Sequence, residues 1–189
     1  MLQSDEIKKI LKSKLKRKRY VHSLGVQKTA EQLAKIHNES VTKASIAGLV
    51  HDCAKNLSGK ELLNYAKQFD ILVDGVTKIQ PELLHGAIGA EIAKRELCIE
   101  DDEILNAIRF HTTGKAKMTL LEKIIYLADY IEPNRNFNGV ETLRKVALSD
   151  LDQATLMAFN NTIKYVVSNN GLLHPTTIFA RNDLLLQKR

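Results

Sequence analysis

The stretch Ala44-Ser45-Ile46-Ala47-Gly48-Leu49-Val50-His51-Asp52 decides how this chain folds. An uncharged, nearly all-apolar run leads straight into an imidazole and a carboxylate. Ser40-Val41-Thr42 caps a helix from Lys43 to about Lys55, and the near-continuous apolar positions Ile46, Ala47, Leu49 and Val50 make that helix buried and central. Successive side chains on a helix point about 100° apart, so His51 and Asp52 can both reach one ion near the helix end, where the chain turns. A buried carboxylate beside an imidazole is costly alone and becomes tolerable when both bind a cation. Taken by itself, the pair reads more simply as a helix-end cap.

Helical periodicity continues on both sides. Ser4, Asp5 and Glu6 start a helix that runs to about Arg17, and Val26, Ala30, Leu33 and Ala34 carry a second from Ser23 to His37. Ser58-Gly59-Lys60-Glu61 starts another through Phe69, and Asp70 to Pro81, with Gly75, reads as a loop or short turns. Glu82 to Leu97, Asp101 to Phe110, Thr119 to about Tyr130, Val140 to Ser149 and Asp150 to Asn169 follow as helices. Gly171 to Thr177 reads as a loop before a short last segment. No run alternates with period two long enough for a convincing strand. The expected fold is all-α: one helical bundle over residues 1–189, without repeat, low-complexity stretch or linker.

A chain of 189 residues buries an adequate core without disulfides or structural zinc. Its apolar runs are too short for the roughly 20 residues that cross a bilayer. The opening Met1-Leu2-Gln3-Ser4-Asp5-Glu6 lacks a secretory profile, so a cytoplasmic location is the expectation. Cys53 and Cys98 have neither CxxC nor zinc-finger spacing, and Cys53 reads as a small buried hydrophobe. The net charge is +6, with Lys8, Lys9, Lys12, Lys14 and Lys16 to Arg19 supplying much of it. Interleaved Ile7, Ile10, Leu11 and Leu15 make this the solvated face of an amphipathic helix. Of nearby rings only Tyr20 could stack on a base, so a nucleic-acid partner is not favoured.

Further candidates change the weight of the His51-Asp52 pair. His22 lies in Arg19-Tyr20-Val21-His22-Ser23, His85 in Leu83-Leu84-His85-Gly86, His111 in Ile108-Arg109-Phe110-His111-Thr112-Thr113-Gly114, and Asp129 in Ile124-Ile125-Tyr126-Leu127-Ala128-Asp129-Tyr130. Each is placed at or near the end of an apolar helix. Mixed imidazole and carboxylate donors suit iron, manganese, cobalt or zinc, whereas magnesium and calcium prefer oxygens. No GxxxxGK[ST], GxGxxG or GxSxG is present, so P-loop, Rossmann and serine-hydrolase chemistries lack support.

The segments Val50-His51-Asp52-Cys53-Ala54-Lys55, Leu84-His85-Gly86, Phe110-His111-Thr112-Thr113-Gly114, Leu127 to Arg135 (LADYIEPNR) and Leu173-His174-Pro175-Thr176-Thr177-Ile178 together resemble the YqeK family. That family belongs to the HD-domain metal-dependent phosphohydrolases. The resemblance spans nearly the whole chain and implies symmetrical cleavage of diadenosine tetraphosphate and related dinucleoside polyphosphates into two nucleoside diphosphates such as ADP. It departs at Asn138, where the family pattern leads one to expect proline.

By this resemblance His22, His51, Asp52 and Asp129 hold the principal metal, expected to be iron, as one ion or two. His85 and His111 either complete a second site bridged by Asp52 or face the phosphates. Asp52, His85 and His111 are the expected catalytic set, working with a metal-activated hydroxide. His22, His85, His111, Thr112 and Asp129 are expected to touch substrate as well. Gly171, His174 and Thr176 resemble a nucleotide-contacting loop in the C-terminal tail around 170–189. Lys55, one turn beyond His51, and Arg135, a fork for phosphate, complete the substrate contacts. Arg19 carries less weight within its basic run, and His37 reads as a surface residue. A homodimer is left open.

Overall fold

The computed structural model describes residues 3–187. Among them eleven α-helices occur and no strand. They are α1 (Ser4–Lys14), α2 (Arg17–Ile36), α3 (Val41–Val50), α4 (Gly59–Gln68), α5 (Gly75–Ile79), α6 (His85–Glu96), α7 (Asp102–Phe110), α8 (Leu120–Ile131), α9 (Val140–Ala147), α10 (Leu151–Ser168) and α11 (Pro175–Leu186), with a 3-10 turn at Pro81–Leu84. None is long and apolar enough to cross a membrane.

As its unbroken apolar run implies, α3 lies at the centre, against α1, α2, α7 and α8. Ala44, Ile46, Ala47, Gly48, Leu49 and Val50 are all buried, and α8 presents Leu121, Ile124, Ile125, Leu127 and Ala128 to the same core. Each fully buried Leu or Ile contributes about 1.5–3 kcal/mol, so this packing fixes where α3 and α8 end. A smaller cluster of Ala54, Leu62, Ala66, Leu84, Ile88 and Ile92 seats α4 and the 3-10 turn on α6. α9 and α10 pack on α8, and α11 closes against α10.

Capping follows the sequence closely. Ser40, Ser58, Asp101, Thr119 and Asp150 each accept a backbone N–H at a helix start.

Five expectations are corrected. The central helix α3 ends at Val50, short of Lys55, and residues 51–56 form turns. The first helix stops at Lys14, because Leu15 adopts an extended backbone and turns its side chain into the core. The second therefore begins at Arg17, six residues earlier than the apolar spacing suggests, and takes Arg17, Lys18 and Arg19 as its first turn. The last segment is a twelve-residue helix, with Pro175 at its first position and His174 as its cap. His37 is partly buried, and its Nε2 lies 2.7 Å from the Ala147 carbonyl, tying the end of α2 to α9.

Candidate metal centre

Three histidines sit where a helical segment ends. His51 follows α3, His111 follows α7 and His85 follows the 3-10 turn. Carbonyls in a helix's last turn lack intrahelical partners, and each imidazole uses the one three residues back. Nδ1 of His51 donates to Gly48 O at 2.8 Å and Nδ1 of His111 to Ile108 O at 2.7 Å. Nδ1 of His85 donates to Glu82 O. A carbonyl only accepts, so every Nδ1 carries the proton and every Nε2 keeps its lone pair.

His22 differs from the expectation that it, too, ends a helix: it lies inside α2, where the backbone carbonyls are engaged. A carboxylate takes their place. Nδ1 of His22 is 3.1 Å from Oε1 of Glu132, which is 2% exposed and whose other oxygen accepts from Asn134 N and Nδ2 at 2.8 and 3.0 Å. All four rings thus hold the same tautomer and turn Nε2 toward the Asp52 carboxylate.

Two carboxylates lie along the Nε2 side of these rings. Asp52 Oδ2 lies 3.3 Å from His51 Nε2 and 3.6 Å from His22 Nε2, while its Oδ1 lies 3.1 Å from His85 Nε2 and 3.6 Å from His111 Nε2. Asp129 Oδ1 is 3.0 Å from His22 Nε2 and 3.8 Å from His51 Nε2. The rings form a row, with centroids of 5.3 Å for His22–His51, 4.9 Å for His51–His111 and 4.9 Å for His111–His85. Gly86 permits the last contact, since a Cβ there would meet Arg109 O of α7 at 2.7 Å.

The donor set fits a divalent cation. Two triads, His22-His51-Asp129 and His51-Asp52-His111, each bring three ligand atoms within 4.8 Å of one another. His22 Nε2 and His51 Nε2 are buried without an aligned hydrogen bond. Buried polar atoms are almost always satisfied, and two lone pairs left facing two carboxylates are what a cation would satisfy.

Electrostatics agree. Burial pushes the Asp52 carboxyl up, but the electrostatic influence of His51 and contacts from His111, His51 and His85 outweigh it and hold it well below the usual range. Asp129 is likewise depressed, burial being overcome by the His22 contact and the electrostatic influence of His51. Burial lowers His85 to about 4, so its ring is neutral near pH 7. His22 is raised, its contacts with Asp129 and Glu132 overcoming burial.

Cationic groups line the rim. Lys55 Nζ lies 3.4 Å from both ring nitrogens of His85, and burial lowers its pKa. Arg135 grips Asp129 through Nη2 to Oδ1 at 2.7 Å and Nε to the backbone oxygen at 2.9 Å. Thr112 Oγ1 is 3.2 Å from Nε2 of both His85 and His111. A cleft of about 1070 Å³ opens beside His22, walled by Lys16, Arg17, Lys18, Arg19, Asn134 and Arg135.

Nine of the expected residues therefore converge: His22, His51, Asp52, Lys55, His85, His111, Thr112, Asp129 and Arg135. Gly171, His174 and Thr176 lie instead at the α10–α11 turn. His174 Nε2 pairs with Asp74 Oδ2 at 2.9 Å, and its Nδ1 accepts from Thr176 N. Glu132 escaped the sequence reading, and Arg19 was given too little weight in it. Arg19 places Nη1 2.6 Å from Asp52 Oδ2, and Glu132 anchors His22. Spacing held the signal, since Arg19 stands three residues before His22 and Glu132 three after Asp129, on the same helix faces. Cys53 is half-buried against both core clusters, less enclosed than expected: its thiol donates to Gly89 O at 3.4 Å and burial of the sulfur pushes it up to about 12.

The model of the HD domain family matches residues 19–134. Symmetrical bis(5'-nucleosyl)-tetraphosphatases from Halalkalibacterium halodurans and Bacillus subtilis are 43% and 41% identical to the chain, over 95% and 93% of it and 96% and 94% of their own lengths. A crystal structure of a predicted HD superfamily hydrolase involved in NAD metabolism from Clostridium acetobutylicum matches with a TM-score of 0.96 at 50% identity, covering 99% of each chain.

Proposed function

We propose, from the premise that the chain belongs to the HD domain family and within it to the YqeK-like symmetrical bis(5'-nucleosyl)-tetraphosphatases, that it splits diadenosine tetraphosphate and related dinucleoside polyphosphates into two nucleoside diphosphates. The observation that carries this is the placement of Asp52, with one oxygen toward His22 and His51 and the other toward His85 and His111, beside a basic cleft. His22, His51, Asp52 and Asp129 would hold one cation, iron being our choice. His85 and His111 would either hold a second ion with Asp52 or meet the phosphates. A bound cation supplies charge to the phosphoryl oxygens and acidifies a water to near-neutral pKa.

The chain's own groups do the rest. Arg135 and Arg19 stand on Asp129 and Asp52 as charge partners and turn to phosphate oxygens when substrate enters, Arg135 as a two-pronged fork. Lys55 adds a point charge beside His85, and the Thr112 hydroxyl can donate to a phosphoryl oxygen there. The carbonyl bonds at Nδ1 keep the rings from turning, so the acceptor nitrogens are set before ligand arrives. We assign Gly171, His174 and Thr176 to nucleoside contact, in a unit spanning all 189 residues.

The test is product analysis on diadenosine tetraphosphate with metal analysis of the same sample. ADP as the sole nucleotide product supports the proposal, and ATP with AMP, or released phosphate, sinks it. Metal content near one or two ions per chain decides the role of His85 and His111.

A further inference from the structure

Ten aromatic residues, five Phe and five Tyr, are all this chain has. Three of them, Tyr130, Phe137 and Tyr165, converge on a recess of about 450 Å³, together with Arg135, Asn138, Asn161 and Lys164. Tyr165, on α10, is 71% exposed. Leaving so much ring in water costs hydrophobic free energy, and it has a use if something flat covers it. Tyr130 and Phe137 meet edge to face, with centroids 5.2 Å apart and planes at 77°, so the two rings present surfaces at nearly a right angle.

The recess is not isolated. Arg135 and Phe137 line both it and the larger basic cleft beside His22, and Arg135 holds Asp129 of the metal centre. A polyphosphate crossing Arg135 would leave the histidine row and bring its nucleoside end over the aromatic side. The two asparagine amides each offer a donor pair and an acceptor, the kind of group that pairs with the edge of a purine, and Lys164 adds a cation. An apolar peptide or helix would bury Arg135, Lys164 and both amides unpaired, which argues against it as occupant.

We propose that this recess is the platform for the nucleobase of one half of the dinucleotide, with Tyr165 as its stacking face. The inference rests on the hydrolase reading above and deepens it, since a substrate with two equal nucleosides needs a seat for a base on each side of the cleaved bond. Stacking tolerates any base, so the platform would secure the nucleoside without selecting among purines.

The experiment is calorimetric binding of ADP and of inorganic pyrophosphate to the metal-loaded protein, in wild type, Tyr165→Ala and Tyr165→Phe. Tyr165 is exposed enough that its truncation leaves the core intact. ADP affinity should fall about tenfold in Tyr165→Ala and return in Tyr165→Phe, within the range of base-on-ring stacking, while pyrophosphate affinity stays put. Equal ADP affinity in all three proteins overturns the platform, and so does an equal loss for pyrophosphate. A wild-type protein that binds ADP yet splits no dinucleotide would refute the hydrolase reading alone, because the Tyr165 comparison still decides where the base sits.

Discussion

Gly25→Ala should weaken this protein, against the usual sign of that change. A glycine inside a helix costs about 0.5–1 kcal/mol relative to alanine, so the substitution in the middle of α2 would ordinarily stabilise. Here a Cβ would lie 2.6 Å from Glu132 Oε2 and 3.4 Å from its Cδ. A free glutamate would swing aside, but this one is buried and held by His22 and by two bonds from Asn134. Hydrogen bonds to a charged group are worth about 1.5–3 kcal/mol. Losing one or two of them outweighs the helix gain and leaves a net loss of about 2 kcal/mol. For a chain this size that is a drop of about 4–8 °C in Tm. The displaced Glu132 also frees the His22 ring, and loss of such an outer partner lowers metal affinity about 10- to 100-fold. Thermal unfolding of the metal-free protein and a metal titration read both effects. Gly75→Ala is the control, since a Cβ there meets nothing within 4 Å, and it should be neutral or stabilising. A Gly25→Ala protein that melts no lower than wild type and binds metal as tightly would refute the argument.

Asp52→Ala should abolish hydrolysis and lower bound metal, read by product assay and elemental analysis, because the oxygens facing both pairs of histidines vanish together. Arg135→Ala should cut kcat/KM by at least about tenfold, a loss near 1.4 kcal/mol, whereas Lys8, Lys9 and Lys12 changed together to Gln on α1 should leave steady-state kinetics close to wild type. Chelation of a protein saturated at about 100 times Kd removes about 2.7 kcal/mol and should lower Tm by about 5–10 °C, seen by calorimetry and reversed by returning the ion. With its thiol pushed from 9 to about 12, Cys53 is ionised to about one part in ten thousand at pH 8. Mass spectrometry after brief alkylation should therefore find exposed Cys98 modified and Cys53 intact until the protein is unfolded.

His51, Asp52, His85, His111 and Asp129 were legible because each breaks an apolar helical run with a polar group that would be costly to bury alone, while His22, just past a basic stretch, gave a weaker signal. The helices were legible from periodicity and caps, down to Asp101 and Thr119. The end of α3 was not, nor was the boundary between α1 and α2. No proline or glycine marks it, and Leu15 leaves the helix to fill the core, a tertiary choice that overrides local propensity. Arg19 was hidden by the cations around it. Three basic residues in the first turn of α2 oppose the helix dipole, and local rules broken in this way mark functional positions. Glu132 was hidden behind Pro133, which drew the eye to the helix end and away from the carboxylate that anchors His22.

Histidines that end helices make those helices rulers. The eleven residues from Ser40, which caps α3, to Val50 set the angle at which His51 leaves it, and one inserted residue would swing that ring by about 100° and advance it about 1.5 Å. The same holds for α7 between Asp101 and His111. Length variation in natural or engineered relatives must therefore fall outside these helices, in connections such as 69–74 and 133–139, while substitutions that keep the count can accumulate within them.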